Sequence, residues 1–155
     1  MRKIFIYYSL SGNGDLVNEY LSKKGYESKK IEVKNKLPKN YFLSIVIGGY
    51  KAMSNYKETI TNFHIDIDNY DEIVIGSPIW NDRLSSPIST LLDKINLNDK
   101  IVKFILYSGS GKNSHADEFI MNKYPNAKII NIKEPKKYSE ELNKIKELLW
   151  LKLKM

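Results

Sequence analysis

Ile4-Phe5-Ile6-Tyr7-Tyr8-Ser9-Leu10-Ser11-Gly12-Asn13-Gly14 is the stretch on which the fold turns. Residues 2–8 are apolar, β-branched and aromatic, and predict a strand. The run stops at serine and glycine. Residues 13–24 then carry Leu16, Val17, Tyr20 and Leu21 at helical spacing, with Gly25 as the stop. A strand, a glycine-bearing loop and a helix make the first half of a βαβ unit.

Outward from this stretch the same alternation continues. Residues 28–34 alternate around Ile31 and Val33 as an outer strand would, and Pro38 punctuates. Residues 40–53 hold Tyr41, Phe42, Leu43 and Ile45-Val46-Ile47, then Gly48-Gly49, and fit either a short helix or an irregular excursion. Residues 70–76 predict a central strand, since a continuous apolar run suits a strand covered on both faces. Asp71 and Glu72 read as its solvated entrance. Residues 85–95 predict a helix with Pro87 in the first turn, where a missing N–H is tolerated. A strand over 101–107, a helix over 114–123 and a strand over 127–132 follow. A closing helix spans 138–152, with Ser139 as N-cap and Glu140 and Glu141 near the positive dipole end. Strict alternation predicts an α/β fold, a three-layer α/β/α sandwich around a five-stranded parallel sheet, in a single domain over 1–155.

The 155 residues suit one domain with one sizeable core, and 42% hydrophobic with 28% charged residues is a globular composition. No apolar run reaches membrane-spanning length, so no membrane partner is expected. The absence of cysteine removes disulfides, thiolate metal sites and a cysteine nucleophile together, and a cytoplasmic location is the default expectation. The net charge of +7 rests almost wholly on lysines spread along the chain, with only Arg2 and Arg83 as arginine. That distribution suits a solvated surface better than a nucleic-acid footprint, so no nucleic-acid partner is expected.

In open α/β sheets ligands sit beyond the carboxyl ends of the strands. Three loops there are unusual. The first, Ser9-Leu10-Ser11-Gly12-Asn13-Gly14, brings glycine backbone and serine and asparagine donors to a helix N-terminus. It reads as a neutral phosphate nest or, equally, as a tight turn with a capping serine. A Walker A loop fails at Gly111-Lys112-Asn113, and no glycine completes a dinucleotide pattern after Gly14. Serines where a receiver domain would carry acids argue against that class. The second loop is Gly76-Ser77-Pro78-Ile79-Trp80-Asn81-Asp82, and the third is Tyr107-Ser108-Gly109-Ser110-Gly111-Lys112-Asn113.

Ser9-Leu10-Ser11-Gly12-Asn13 closely resembles the phosphate signature of the flavodoxin family, Thr/Ser-x-Thr/Ser-Gly-Asn-Thr, with Gly14 standing where the family has threonine. The second block is similar to the family's second flavin loop, and the third loop matches by position more than by sequence. The resemblance spans nearly the whole chain, and it implies the strand order 2-1-3-4-5 and flavin mononucleotide (FMN) as cofactor. It assigns cofactor binding to Ser9, Leu10, Ser11, Gly12, Asn13 and Gly14 at the phosphate. Ser77, Pro78, Ile79, Trp80 and Asn81 follow on the ring, with Ser108, Gly109, Ser110 and Gly111 on its pyrimidine edge. Trp80 would stack on the ring or else cap the sheet as a core residue. Tyr107 stands between a ring contact and a strand-end core residue. In the family a backbone carbonyl of the second loop can turn toward the flavin, and Asn81 holds that place. The segment Gly48–Met53, with Tyr50 or Tyr56, would border the cofactor face. Loss of the threonine at position 14 implies one phosphate donor fewer.

Because a bound flavin carries the redox chemistry itself, no catalytic side chain is expected. The first functional expectation is an electron carrier working with redox partner proteins. The second is an enzyme drawing on NAD(P)H and reducing a quinone or another small-molecule acceptor. The third is an interaction domain without flavin. The +7 charge departs from the acidic character of flavodoxins, which steers them to basic partners. His64, Asp66 and Asp68 alternate along one stretch without a second cluster, so no metal is expected. Ser108 and Ser110 lack the sharp G-x-S-x-G elbow of a serine hydrolase.

Overall fold

The computed structural model describes residues 1–150. β1 (Lys3–Tyr7) leads into α1 (Asn13–Ser22), β2 (Glu27–Lys30) and α2 (Tyr41–Met53). β3 (Glu72–Trp80) turns back as the short β4 (Arg83–Leu84) before α3 (Ser86–Lys94). β5 (Ile101–Ser108), α4 (Ser114–Lys123) and β6 (Lys128–Lys133) follow. A 3-10 segment (Ser139–Lys144) runs into α5 (Ile145–Trp150).

Five strands pair in parallel in the order β2-β1-β3-β5-β6, and β4 joins β3 antiparallel. With the short return strand set aside, this is the expected flavodoxin-like order. Residues alternate across the sheet and feed two cores. Ile4, Ile6, Ile73, Ile75, Phe104 and Leu106 face one way, toward Ile88 and Leu91 of α3 and Ile120 of α4. Phe5, Tyr7, Val74, Ile105 and Tyr107 face the other way, toward Val17 and Leu21 of α1 and Ile145 of α5. The continuous apolar runs in the sequence follow from this cover on both faces.

Several expectations are corrected. The outer strand is shorter than 28–34, ending at Lys30. Ile31 and Val33 are still buried, and Val33 bridges antiparallel to Ile60. Residues 41–53 form a regular helix, not an excursion, started by the Asn40 side chain accepting from Leu43 N–H at 3.1 Å. The central strand does not stop at Gly76. β1 ends opposite Gly76, whereas β3 continues beside β5 to Pro78 and then folds back on itself. The closing helix begins as a 3-10 segment after Tyr138, with no side-chain cap from Ser139, and residues 151 and 152 lie outside the described residues.

Glu72 is fully buried instead of solvated. Lys103 of the neighbouring β5 and Tyr26, just before β2, supply the compensation: the Lys103 ammonium lies 2.7 Å away and the Tyr26 hydroxyl donates to its carboxylate at 2.6 Å. A buried carboxylate persists only when paired in this way. The group sits at the end of the sheet opposite the glycine-bearing loops. Among the described residues, no helix is long and apolar enough to cross a membrane.

Candidate functional site

At the carboxyl ends of β1, β3 and β5 the chain opens a cavity of about 500 Å³. That volume lies within the range of small-molecule and cofactor sites. All three singled-out segments reach it. Leu10, Ser11 and Asn13 come from the first, Pro78, Ile79, Trp80 and Asn81 from the second, and Tyr107, Ser108 and Gly109 from the third. Leu37, Pro38 and Lys39, then Tyr41, Ser44 and Ile45 of α2, close one side, and Glu134 closes another.

The first loop is held by Ser9. Its buried hydroxyl accepts from the backbone N–H of Gly12 at 3.2 Å and of Gly14 at 3.0 Å. Gly12 caps α1 with φ +97, a left-handed conformation that glycine adopts freely. Thus two amides of the nest are already taken inside the loop, and Ser9 acts as the turn-forming serine. Ser11 and Asn13 remain on the cavity wall, joined by a bond from the Asn13 amide to the Ser11 hydroxyl at 3.2 Å.

Gly14 is a packing position. A Cβ there would come within 2.6 Å of the Tyr107 hydroxyl and 2.9 Å of Ser9 Cβ and a Tyr7 ring carbon. The family's threonine is therefore excluded by Tyr107, whose hydroxyl fills that space and donates to the Tyr8 carbonyl. Burial pushes the Tyr107 hydroxyl well above its usual range, so it stays a neutral donor. Tyr107 is a core residue at the strand end, and it also borders the cavity.

The second segment is strand and hairpin. Trp80 pairs with Arg83 across a two-residue turn in which Asn81 and Asp82 have φ of 53° and 57°, the left-handed pair of a type I′ turn. Asn81 is thus already left-handed, and its carbonyl accepts from the Arg83 guanidinium at 3.1 Å. Trp80 meets the edge of Tyr8 at a centroid distance of 5.8 Å and packs on Gly48, where a Cβ would lie 3.1 Å from the indole. It caps the core and lines the cavity at once. Ser77 does not reach the cavity. Its hydroxyl lies 2.9 Å from that of Ser85 and accepts from Ser85 N–H at 3.1 Å, fixing the start of α3.

The third loop repeats the first. Ser108 accepts from Gly111 N–H and from the Asn113 amide, both at 3.0 Å. Gly111 has φ +71. The Ser110 hydroxyl closes its own turn onto Lys112. Ser108 and Gly109 reach the wall, while Ser110 and Gly111 shape the loop behind it.

Sequence reading missed the connection after β6. Lys136 donates its backbone N–H to the Asn13 side chain at 2.9 Å and its ammonium to the Ser11 carbonyl at 3.0 Å. A cation thereby stands beside the nest. Glu134 donates its N–H to the Ser108 carbonyl and pairs with Lys137. This segment also follows a strand end, so the topological rule that picked the other three loops pointed to it as well. Among the described residues no group of three or more histidine, cysteine or acidic residues could hold a metal ion. Tyr50 and Tyr56 are exposed and do not border the cavity.

Residues 11–138 match the model of the NADPH-dependent FMN reductase family. No curated protein matches the chain significantly. Among solved structures, the chain is similar to a protein of Bacteroides eggerthii DSM 20697 assigned as a flavoprotein, at 20% identity and a TM-score of 0.73. That match covers 84% of this chain and 86% of the other. A flavoprotein of Lactobacillus acidophilus NCFM, solved in complex with FMN, gives 24% identity and a TM-score of 0.68, over 90% and 97% of the two chains. A flavodoxin from the domain Archaea gives 15% identity and a TM-score of 0.51, over 96% and 93%.

Proposed function

The chain belongs to the NADPH-dependent FMN reductase family, and from that premise we propose that it is an oxidoreductase that seats FMN in this cavity and passes electrons from NADPH to a small-molecule acceptor. One observation carries the reading: an apolar wall and a donor-rich nest with an adjacent cation share one cavity at the ends of β1, β3 and β5. FMN, when bound, supplies the electron chemistry. Every other task falls to the chain.

Ser11, Asn13 and the first-turn N–H groups of α1 other than that of Gly14, which Ser9 holds, bind the phosphate at the positive end of the helix dipole. The Lys136 ammonium, held beside the nest at the Ser11 carbonyl, adds a positive charge where Gly14 offers no hydroxyl donor. Trp80, Ile79 and Tyr41 exclude water from the ring. The aromatic face favours a flat, oxidised ring over an electron-rich one. Gly109 and Ser108 present backbone to the pyrimidine edge. Tyr107, kept neutral by burial, holds the first and third strand ends together.

A carrier between proteins is the competing reading. The +7 charge disfavours docking on the basic surfaces that acidic carriers use. A chain without cysteine needs no oxidising compartment, so a cytoplasmic location goes with the reading.

The test is in two stages. Purified protein is given FMN, desalted and scanned for absorbance, and a retained flavin spectrum is expected. NADPH oxidation with a quinone acceptor is then expected to run well above the rate of equimolar free FMN. Retained flavin with no such rate would leave the carrier. A colourless protein would leave a flavin-free interaction domain.

A further inference from the structure

The β3–β4 hairpin borders a second pocket, of about 310 Å³, that shares no lining residue with the strand-end cavity. It opens between the C-terminal end of α2 and the N-terminal turns of α3 and α4. Asn55, Arg83, Ser89 and His115 bring polar side chains to it from four separate parts of the chain. Among the described residues no carboxylate lines it. Asp82, at the hairpin tip, spends its carboxylate on the His115 backbone N–H at 3.3 Å.

The arginine is the informative group. Of 25 lysines and arginines only Arg2 and Arg83 are arginine. Arg2 uses its planar fork in full, bonding both oxygens of Glu27 and lying 4.5 Å over the Tyr70 ring. Arg83 is half-buried and gives one N–H to the Asn81 carbonyl at 3.1 Å. It pairs with no acid among the described residues. A guanidinium carries five donors in a fixed fork, so most of this one is left to the pocket. The Ser89 hydroxyl, the Asn55 amide and the His115 ring are likewise without a partner among the described residues.

We propose that this pocket is a second anion site, which binds a phosphate monoester carried on a flat aromatic group, as in a nucleotide. An arginine fork in an acid-free surround fits an oxyanion and takes it through two parallel bonds. Donors from four parts of the chain suit a tetrahedral group with three free oxygens better than a flat carboxylate. The His115 ring offers an N–H in either protonation state. Met53 and Phe119, 58% and 44% exposed, form an apolar wall beside the donors. An aromatic base stacks on such a surface. Two sources supply this chemistry. One is a separate nucleotide. The other is the 2′-phosphate end of NADPH, and that source rests on the function proposed above. α2 lines both pockets, from Ile45 at the first to Ala52 at the second, about 10 Å along the helix. A dinucleotide is long enough to touch both.

The chain, treated with FMN and desalted, is titrated with adenosine 2′,5′-bisphosphate by calorimetry. Saturable binding at one site is expected, with inorganic phosphate competing. Adenosine, which lacks phosphate, is expected to bind about ten-fold more weakly or worse. Arg83→Gln keeps the stem and removes the fork. Ser89→Asp sets a carboxylate in the pocket near a helix end that favours acids. Each is expected to weaken bisphosphate binding by about ten-fold or more, with retained flavin and melting unchanged. KM values then separate the sources. A rise for NADPH with NADH unchanged assigns the pocket to the coenzyme. Bisphosphate binding lost with both KM values unchanged assigns it to a separate nucleotide. No saturable binding by the wild type, or binding unaltered in both variants, overturns the proposal even where flavin and NADPH turnover are intact. A chain that retains no flavin removes the oxidoreductase reading alone, because the calorimetry still reads this pocket.

Discussion

The first and third strand-end loops are built alike and packed differently. Each has, at or just past the end of its strand, a serine whose hydroxyl accepts the N–H of a left-handed glycine three residues on, Ser9 to Gly12 and Ser108 to Gly111. Each then uses an asparagine to tie the helix start to the chain near β6, Asn13 to Lys136 and Asn113 to Asn131. The first loop is also wedged from behind, with Gly14 pressed against Tyr107, Ser9 and Tyr7. The third has open space at Gly109, where an added Cβ meets nothing. Two loops of one local design therefore divide the work: one keeps its shape through packing, the other keeps room beside the cavity.

Placing the threonine of the flavodoxin signature at position 14 should break this pattern most severely. Gly14→Thr places a branched side chain where a Cβ alone already overlaps three groups. The expected loss of stability is about 3 kcal/mol, the upper end of the usual range for overpacking. The added hydroxyl is not expected to improve FMN affinity. Adding Tyr107→Phe should recover only part of the loss, since Ser9 and Tyr7 still crowd the site. Urea melts of the three proteins check this, and a stable Gly14→Thr with tighter FMN binding would refute it.

Removing each loop's serine comes next. Ser9→Ala strips two backbone N–H groups of their acceptor in a buried turn. A cost of about 2 kcal/mol is expected, because each buried donor left unpaired costs about 1–3 kcal/mol before relaxation. Ser108→Ala should cost about half as much by the same reckoning. Of the two donors it leaves, the Asn113 amide still reaches Asn131 at 2.9 Å. Equal losses in melts of the two variants would mean that the loops are interchangeable.

What the sequence made legible divides along the same line. Strands and helices whose apolar spacing reflects core contacts were readable, and so was the first loop, because serine, glycine and asparagine are there for local hydrogen bonds. β3 beyond Gly76 was not readable, since Pro78 and Asn81-Asp82 resemble an irregular loop as much as a strand and a hairpin turn. Glu72 was misread because its compensation comes from Tyr26 and Lys103, distant in sequence. The role of Gly14 needed Tyr107, again a long-range contact. α2 was ambiguous because its apolar residues do not face this chain's core, so their spacing carries no sign of the body they sit on.

A smaller effect concerns the segment that ties the first loop down. Glu141 accepts the Lys133 N–H at 2.8 Å and pairs with Lys144 at 2.9 Å, just behind the turn that carries Lys136. Lys144, and then the Lys133 N–H, hold its carboxyl below the usual carboxylate range. The folded value lies below the unfolded one. Its stabilisation is therefore complete above the ordinary carboxylate range and is lost as pH falls through the lowered folded value. Glu141→Gln should cost about 1 kcal/mol at neutral pH. Melts of the two proteins should converge in acid. A gap that persists there would assign the loss to packing instead of charge.

The smallest expected effect on stability is the one that best separates folding from binding. Gly111→Ala forces a Cβ into a left-handed position 3.0 Å from Lys133 and should cost about 1 kcal/mol. Gly109→Ala adds the same methyl group to open space on the cavity wall, and should change stability by less than about 0.5 kcal/mol, as surface substitutions do. If the third loop's backbone borders the flavin, that methyl group occupies part of the ring's space. FMN titration should then show a Kd several-fold higher in Gly109→Ala with its melting unchanged, while Gly111→Ala should show the reverse balance. Unchanged binding in Gly109→Ala would detach the third loop from the ring and leave the first loop and Trp80 to hold the cofactor alone.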